Sequence, residues 1–149
     1  MTKALKRSQV KSLVSALFSN IGDSDARHTW YLLIDLFGGP NSAIANKTSI
    51  NSAFPHRDKL LLYQFSDRGN YAEYAKNGFA LLKGFRESVT KSMADGEWGM
   101  YANYLDTQLG NEEATKLYYG SNLGRLRKLK AEYDPKDMFW NPQGIRPAK

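Results

Sequence analysis

Apolar residues at Val10, Leu13, Val14, Leu17, Phe18 and Ile21 recur at the spacing of one helix face, which predicts an amphipathic helix near the start of the chain. The polar stretch NIGDSDAR follows as a loop. HTWYLLIDLF (28–37) is apolar, aromatic and branched, and Gly38, Gly39 and Pro40 close it; the pattern is that of a buried strand. A Ser/Asn-rich loop runs to about Ser52, and KLLLYQFSD (59–67) predicts a second strand. From Tyr71 to Met93 the residues Tyr74, Leu81, Phe85 and Val89 keep helical spacing, with Gly78 on the same face. EWGMYANYL (97–105) alternates as a third strand would. Glu112 to Leu117 predicts a short helix, and Leu123, Leu126 and Leu129 line one side of a last one. Asp134-Pro135 stops it, because a residue before proline avoids the α region. The tail MFWNPQGIRPAK reads as extended.

The order helix, strand, strand, helix, strand, helix, helix predicts an α+β layer: an antiparallel sheet with helices on one face. Three strands are few for an independent sheet, so one edge is left unfinished and a partner segment is expected to complete it.

Composition changes this picture little. With 149 residues, 42% hydrophobic and 24% charged, the chain suits one globular domain or part of one. It has no cysteine, which excludes disulfides, thiolate-bound zinc and a thiol nucleophile. The net charge of +6 admits a nucleic-acid partner, with RLRKLK as its best support, but Lys and Arg are spread over helix-like segments as on a solvated surface. No apolar run reaches a membrane span, and the charged, amphipathic start shows no signal peptide.

Candidate chemistry begins with polar residues inside apolar strands. Asp35 interrupts WYLLIDLF, and Gln64 interrupts LLLYQFS. A buried carboxylate without a partner is costly, so Asp35 either reaches solvent at a strand end or serves a cleft. Alternation places Tyr31, Leu33, Asp35 and Phe37 on one face of the first strand, and Leu60, Leu62 and Gln64 on one face of the second. In the third, Tyr104 shares a face with Trp98, Met100 and Ala102, while Tyr101 and Asn103 take the other. Taken alone, those tyrosines read as amphipathic packing with hydroxyls at the rim.

The run WGMYANYLDTQLG, then YYGSNLGRLRKLKAEYDPKDMF, then NPQGI, strongly resembles the C-terminal end of the berberine bridge enzyme-like FAD-linked oxidases. IDLFGGP and AFPHRDKLLLYQF are similar to earlier pieces of the same family, so the resemblance extends from about Trp30 to Pro147. Its flavour is that of the sugar- and cannabinoid-oxidising members, which carry tyrosine where berberine bridge enzyme itself carries glutamate.

The resemblance implies an incomplete substrate domain of the vanillyl-alcohol-oxidase-like flavoprotein fold over residues 1–118. A C-terminal berberine-like segment over 119–149 would pack on a missing FAD-binding domain or chain. It implies FAD as cofactor and a small-molecule substrate, a sugar or a secondary metabolite. By the same resemblance Tyr104 is the general base, Asp35 the carboxylate that assists it, Gln64 and Tyr101 substrate contacts, and Tyr119 and Asn122 neighbours of the flavin ring. His56, Arg57, Arg125 and Asp134 are expected to be structural. Relatives hold flavin through a histidine, often with a cysteine; here cysteine is lacking, and His28 and His56 both fall in the substrate-domain match. The alternative is a non-catalytic remnant or binding module that keeps the fold.

Overall fold

In the computed structural model, which describes residues 1–20, 28–45, 52–70 and 74–148, the chain divides into two compact units. One comprises Thr2–Phe37 and Leu60–Trp98; the other comprises Met1, Gly38–Lys59 and Gly99–Lys149. The boundary expected at 118/119 falls inside the second.

The first unit is built on helix α1 (Arg7–Asn20), strands β1 (His28–Leu36) and β2 (Leu61–Gly69), and helix α2 (Gly78–Thr90). β1 and β2 pair antiparallel, with Leu33 opposite Gln64 and Asp35 opposite Leu62. Side chains alternate, so Leu32, Ile34, Tyr63 and Phe65 share one face. The helices cover that face around Leu32, Tyr63 and Phe65. Phe85 and Val89 of α2 are each 1% exposed. The Phe85 ring lies 4.9 Å from Trp30 and 6.0 Å from Phe65. Leu13 of α1 joins Tyr63 and Val89 in the buried core, with Leu17, Leu32 and Phe65 packed against it. An antiparallel sheet with helices on one face is therefore what forms.

The buried stripe of α1 is rotated from the expected one. Gln9 and Leu13 are buried and Leu17 half-buried, whereas Val10, Val14 and Phe18 are exposed; Ile21 lies outside the described residues. The polar Gln9 can occupy the interior because its side chain donates to Ser92 Oγ (3.2 Å) and accepts from the Lys6 amide (2.8 Å).

Two expectations are corrected. β1 is not buried: Tyr31, Leu33, Ile34 and Leu36 are all exposed, Leu36 at 76%. Among the described residues β1 pairs only with β2, so one of its edges is open, and the helices cover one face alone. Nor does 97–105 form a strand. Among the described residues its only ladder contact is a single bridge from Trp98 to Thr2, which also bridges Leu61. Beyond Gly99 the backbone turns instead: the Tyr104 amide donates to the Tyr101 carbonyl (2.9 Å), and Met100 donates to Leu117 (3.1 Å). Alternation without a partner strand does not make a ladder.

The second unit carries α3 (Asn111–Tyr119), a single 3-10 turn (Gly120–Asn122) and α4 (Leu123–Tyr133). Glu112 and Glu113 in the first turn of α3 suit its helix dipole. Gly120, at φ 44°, ends it in the left-handed region open to glycine. α4 stops at Asp134, whose φ of −144° and ψ of 62° before Pro135 lie outside the α region. The Asp134 carboxylate accepts from the amides of Met138 (2.7 Å) and Phe139 (3.0 Å) and pairs with Lys130. That corner presents Tyr133, Met138, Phe139 and Trp140, all exposed.

Candidate functional site

The candidate residues fall into three groups, each placed by a different local device. The first lies on the sheet face opposite the helices. Register puts Tyr31, Leu33 and Asp35 of β1 there with Gln64 and Ser66 of β2, so Asp35 and Gln64 do share a face. Gln64 Nε2 donates to the Tyr31 hydroxyl across the strands (3.1 Å). Asp35 is exposed, and among the described residues its carboxylate has no hydrogen-bond or ion-pair partner. Of the two readings the sequence leaves open for this residue, the solvent-reaching one describes the chain as it stands. The carboxylate is also free to meet a ligand.

The second group is the tyrosine turn. Tyr101 and Tyr104 meet edge-to-face at 5.3 Å, and Phe54 meets Tyr101 in the same way at 6.0 Å. Asn103 Nδ2 donates to the Tyr101 hydroxyl (2.9 Å). Tyr104 is half-buried, and among the described residues its hydroxyl has no hydrogen-bond partner. The expectation that Asp35, Gln64 and Tyr104 stand on one sheet is corrected here: Tyr104 is on a turn, in the other compact unit from Asp35 and Gln64.

His56 anchors the start of this turn. Its ring nitrogen Nε2 donates to the Leu117 carbonyl (2.9 Å), and burial, reinforced by the nearby Met1 amine, pushes its pKa down to about 4. A Cβ at position 99 would stand 2.1 Å from the His56 ring, so only glycine lets backbone and imidazole approach this closely. The Met1 amine donates to the Gly99 carbonyl (2.6 Å), and burial lowers its pKa to about 5. Lys59, also buried, pairs with Asp58 (2.5 Å).

The third group is the pair expected near a flavin. Tyr119, at the end of α3, is half-buried, and burial raises its pKa; its ring meets Tyr118 edge-on at 6.2 Å. Asn122 is buried and donates to the carbonyls of Ser52 (3.1 Å) and Ala53 (3.3 Å). Arg125 adds a third contact to this segment, at the Ser52 carbonyl (3.1 Å). The Asn122 amide hydrogens thus hold the chain itself, which leaves Tyr119 as the group of this pair with a ring to offer a ligand.

Sequence reasoning missed Gln143, Tyr118 and Asn111. They fix the tyrosine turn through side-chain bonds to distant backbone, for which periodicity carries no signal.

Residues 100–146 match the family model described as Berberine and berberine like. The chain is 46% identical to the chitooligosaccharide oxidase of Gibberella zeae over 145 residues, which is 97% of this chain and 29% of that protein. It is 43% identical to the carbohydrate oxidase of Microdochium nivale over 148 residues, 99% of this chain and 30% of that one. The solved structure of FgChi7B covers 100% of this chain and 33% of its own, with 74% identity and a TM-score of 0.90. The chain therefore spans about a third of the length of the relatives it matches.

Proposed function

We propose, from the premise that this chain carries the berberine-like segment of the berberine bridge enzyme-like FAD-linked oxidases, that it supplies part of the substrate side of an oligosaccharide oxidase. The names of the similar proteins, a chitooligosaccharide oxidase and a carbohydrate oxidase, support a sugar over a secondary metabolite as substrate. The observation that carries the reading is the tyrosine turn. Within the matched segment it presents a half-buried phenol, Tyr104, whose hydroxyl no described residue occupies.

Flavin, when bound, supplies the two-electron acceptor; the protein's share is position and proton handling. Oxidising a sugar hydroxyl removes a proton from oxygen, which calls for a base. A phenol ionises near pKa 10, so a standing phenolate at neutral pH would cost about 4 kcal/mol. Tyr104 is better placed to pass its own proton on as it takes the substrate's. Within the sheet unit Asp35 is the proposed assisting carboxylate, because its oxygens are unengaged among the described residues and accessible. Its proposed role is that of a proton acceptor. In the sheet unit Gln64, already oriented by its bond to Tyr31, is proposed as a substrate contact; in the other unit Tyr101, oriented by Asn103, is proposed as one by itself. Toward the flavin, Tyr119 offers its ring, and Asn122 acts by holding segment 52–53 in place.

The test is Tyr104→Phe in the flavin-loaded oxidase that carries this segment, with flavin reduction by a chitooligosaccharide followed in stopped flow. The expected loss in rate is roughly 10²–10⁴-fold at unchanged flavin content. A rate within about threefold of the parent would remove Tyr104 as the base. The 149-residue chain alone should hold flavin weakly and never covalently, so acid precipitation should leave a colourless pellet.

A further inference from the structure

The loop between Gly99 and Gly110 holds Tyr101 and Tyr104, yet it contains neither helix nor strand. Its backbone must be fixed by something other than a ladder, and the hydrogen bonds identify what fixes it. Gln143, forty residues on in the tail, donates both carboxamide hydrogens into the loop: one to the Asp106 carbonyl (2.7 Å) and one to the Leu109 carbonyl (2.9 Å). Its oxygen accepts from the Tyr118 hydroxyl (2.9 Å). The Tyr118 oxygen in turn accepts from the Asp106 amide (3.1 Å). The Asp106 peptide is thus gripped at both its N–H and its C=O, two residues after Tyr104.

The grip is reciprocal. Asn111, at the end of the same loop, donates to the carbonyls of Pro142 (2.9 Å) and Gly144 (2.8 Å), one on each side of Gln143. The Gln143 amide is itself turned by Asn141 Oδ1 (2.9 Å). Tyr118 is 2% exposed, so this end of the clasp is anchored in the core of α3. A carboxamide with two donors and an acceptor is needed at 143. Glutamate has the same shape but would set a charged acceptor against two carbonyls, and asparagine is one methylene short.

We propose that Gln143 is the positioning residue of the tyrosine turn, setting Tyr104 for proton transfer through the Asp106 peptide, with Tyr118 as its buried anchor. The catalytic part of this statement rests on Tyr104 as the base; the clamp itself does not. Misplacing a reacting group by about 1 Å costs rate on the order of 10²-fold, so loosening the clamp should lower kcat more than it raises KM.

Gln143→Glu in this chain is read by amide hydrogen exchange. Exchange at Tyr104, Asp106 and Leu109 should quicken by about tenfold or more, while amides of α2 keep their rates. Tyr118→Phe, which removes only the oxygen facing the Asp106 amide, is the second variant should the first fail to fold. In the flavin-loaded oxidase carrying the segment, Gln143→Glu should lower kcat roughly 10–100-fold with KM changed less than about threefold. It should cause no further loss in the Tyr104→Phe background, because residues that act as one unit are not additive. Unchanged exchange at Tyr104 and Asp106 in both variants, or a kcat loss that adds in full to that of Tyr104→Phe, would overturn the proposal. Quickened exchange together with normal turnover by Tyr104→Phe would support the clamp and sink the base assignment.

Discussion

The two compact units hold their candidate residues by opposite means. In the first, Asp35 and Gln64 are set by strand register: a one-residue slip would turn both to the helix-covered face, and the aromatic core under that face resists the slip. In the second, Tyr101 and Tyr104 stand on a loop set by a few amide side chains and one buried imidazole. A ladder spreads the work over many backbone groups, so one surface substitution changes little. A clasp concentrates it, so one side chain decides where the loop goes.

Four substitutions or conditions break this contrast, in falling order of effect. Phe85→Ala should cost the sheet unit about 3–5 kcal/mol, because it empties the space between Trp30 and Phe65. Urea unfolding followed by Trp fluorescence measures it, and a loss under about 1 kcal/mol would mean that the helix does not hold the sheet.

Acid should act on the other unit. His56 is neutral when folded, with a pKa near 4, and near 6.5 when unfolded. Between those values the unfolded state binds more protons, so stability is full above pH 6.5 and declines as pH falls toward 4, by about 3 kcal/mol in all. The Met1 amine, lowered from 8.0 to about 5, adds a loss of the same sign that begins nearer pH 8. His56→Gln, which can still donate to Leu117 but does not titrate, should flatten the 6.5-to-4 part of the curve. An unaltered slope would show that the imidazole is not its source.

Tyr74→Phe should cost about 1 kcal/mol. The Tyr74 hydroxyl donates to Asp67 Oδ2 at 2.5 Å and ties the approach to α2 onto β2; burial and the Asp67 carboxylate both raise its pKa. Spectrophotometric titration should show Tyr74 as the last tyrosine to ionise. Least of all, Glu112→Gln removes an exposed pair with Arg127 (2.8 Å) and should cost under about 1 kcal/mol, an effect that salt erases. A salt-resistant loss larger than that would show that the α3–α4 contact depends on it.

Element types were legible in the sequence where periodicity was long. α2 and its line Leu81, Phe85 and Val89 follow from spacing alone, and these residues are buried. Asp134-Pro135 marks the end of α4 by a purely local steric rule. The face shared by Asp35 and Gln64 also follows from alternation once the strands pair. The rotation of the α1 stripe did not follow, because a buried Gln9 satisfied by Ser92 looks polar in any hydrophobic pattern. The third strand failed for the opposite reason: 97–105 alternates well, but a strand needs a neighbour, and among the described residues only Thr2 supplies one, at Trp98.

Short-range physics within the sequence therefore determined the helices, the two paired strands, the chain stops and the chemical identity of the candidate groups. Only the tertiary structure decided what each group can do. It left the Asp35 carboxylate accessible, although Leu62 opposite it is buried. It turned 99–110 away from a ladder by giving its amides and carbonyls partners at Leu117, Tyr118 and Gln143. The reason is the reach of the interactions. Periodicity and proline sterics act within a few residues, whereas the bonds that place the tyrosine turn join positions separated by 12 to 98 residues, and no local pattern records them.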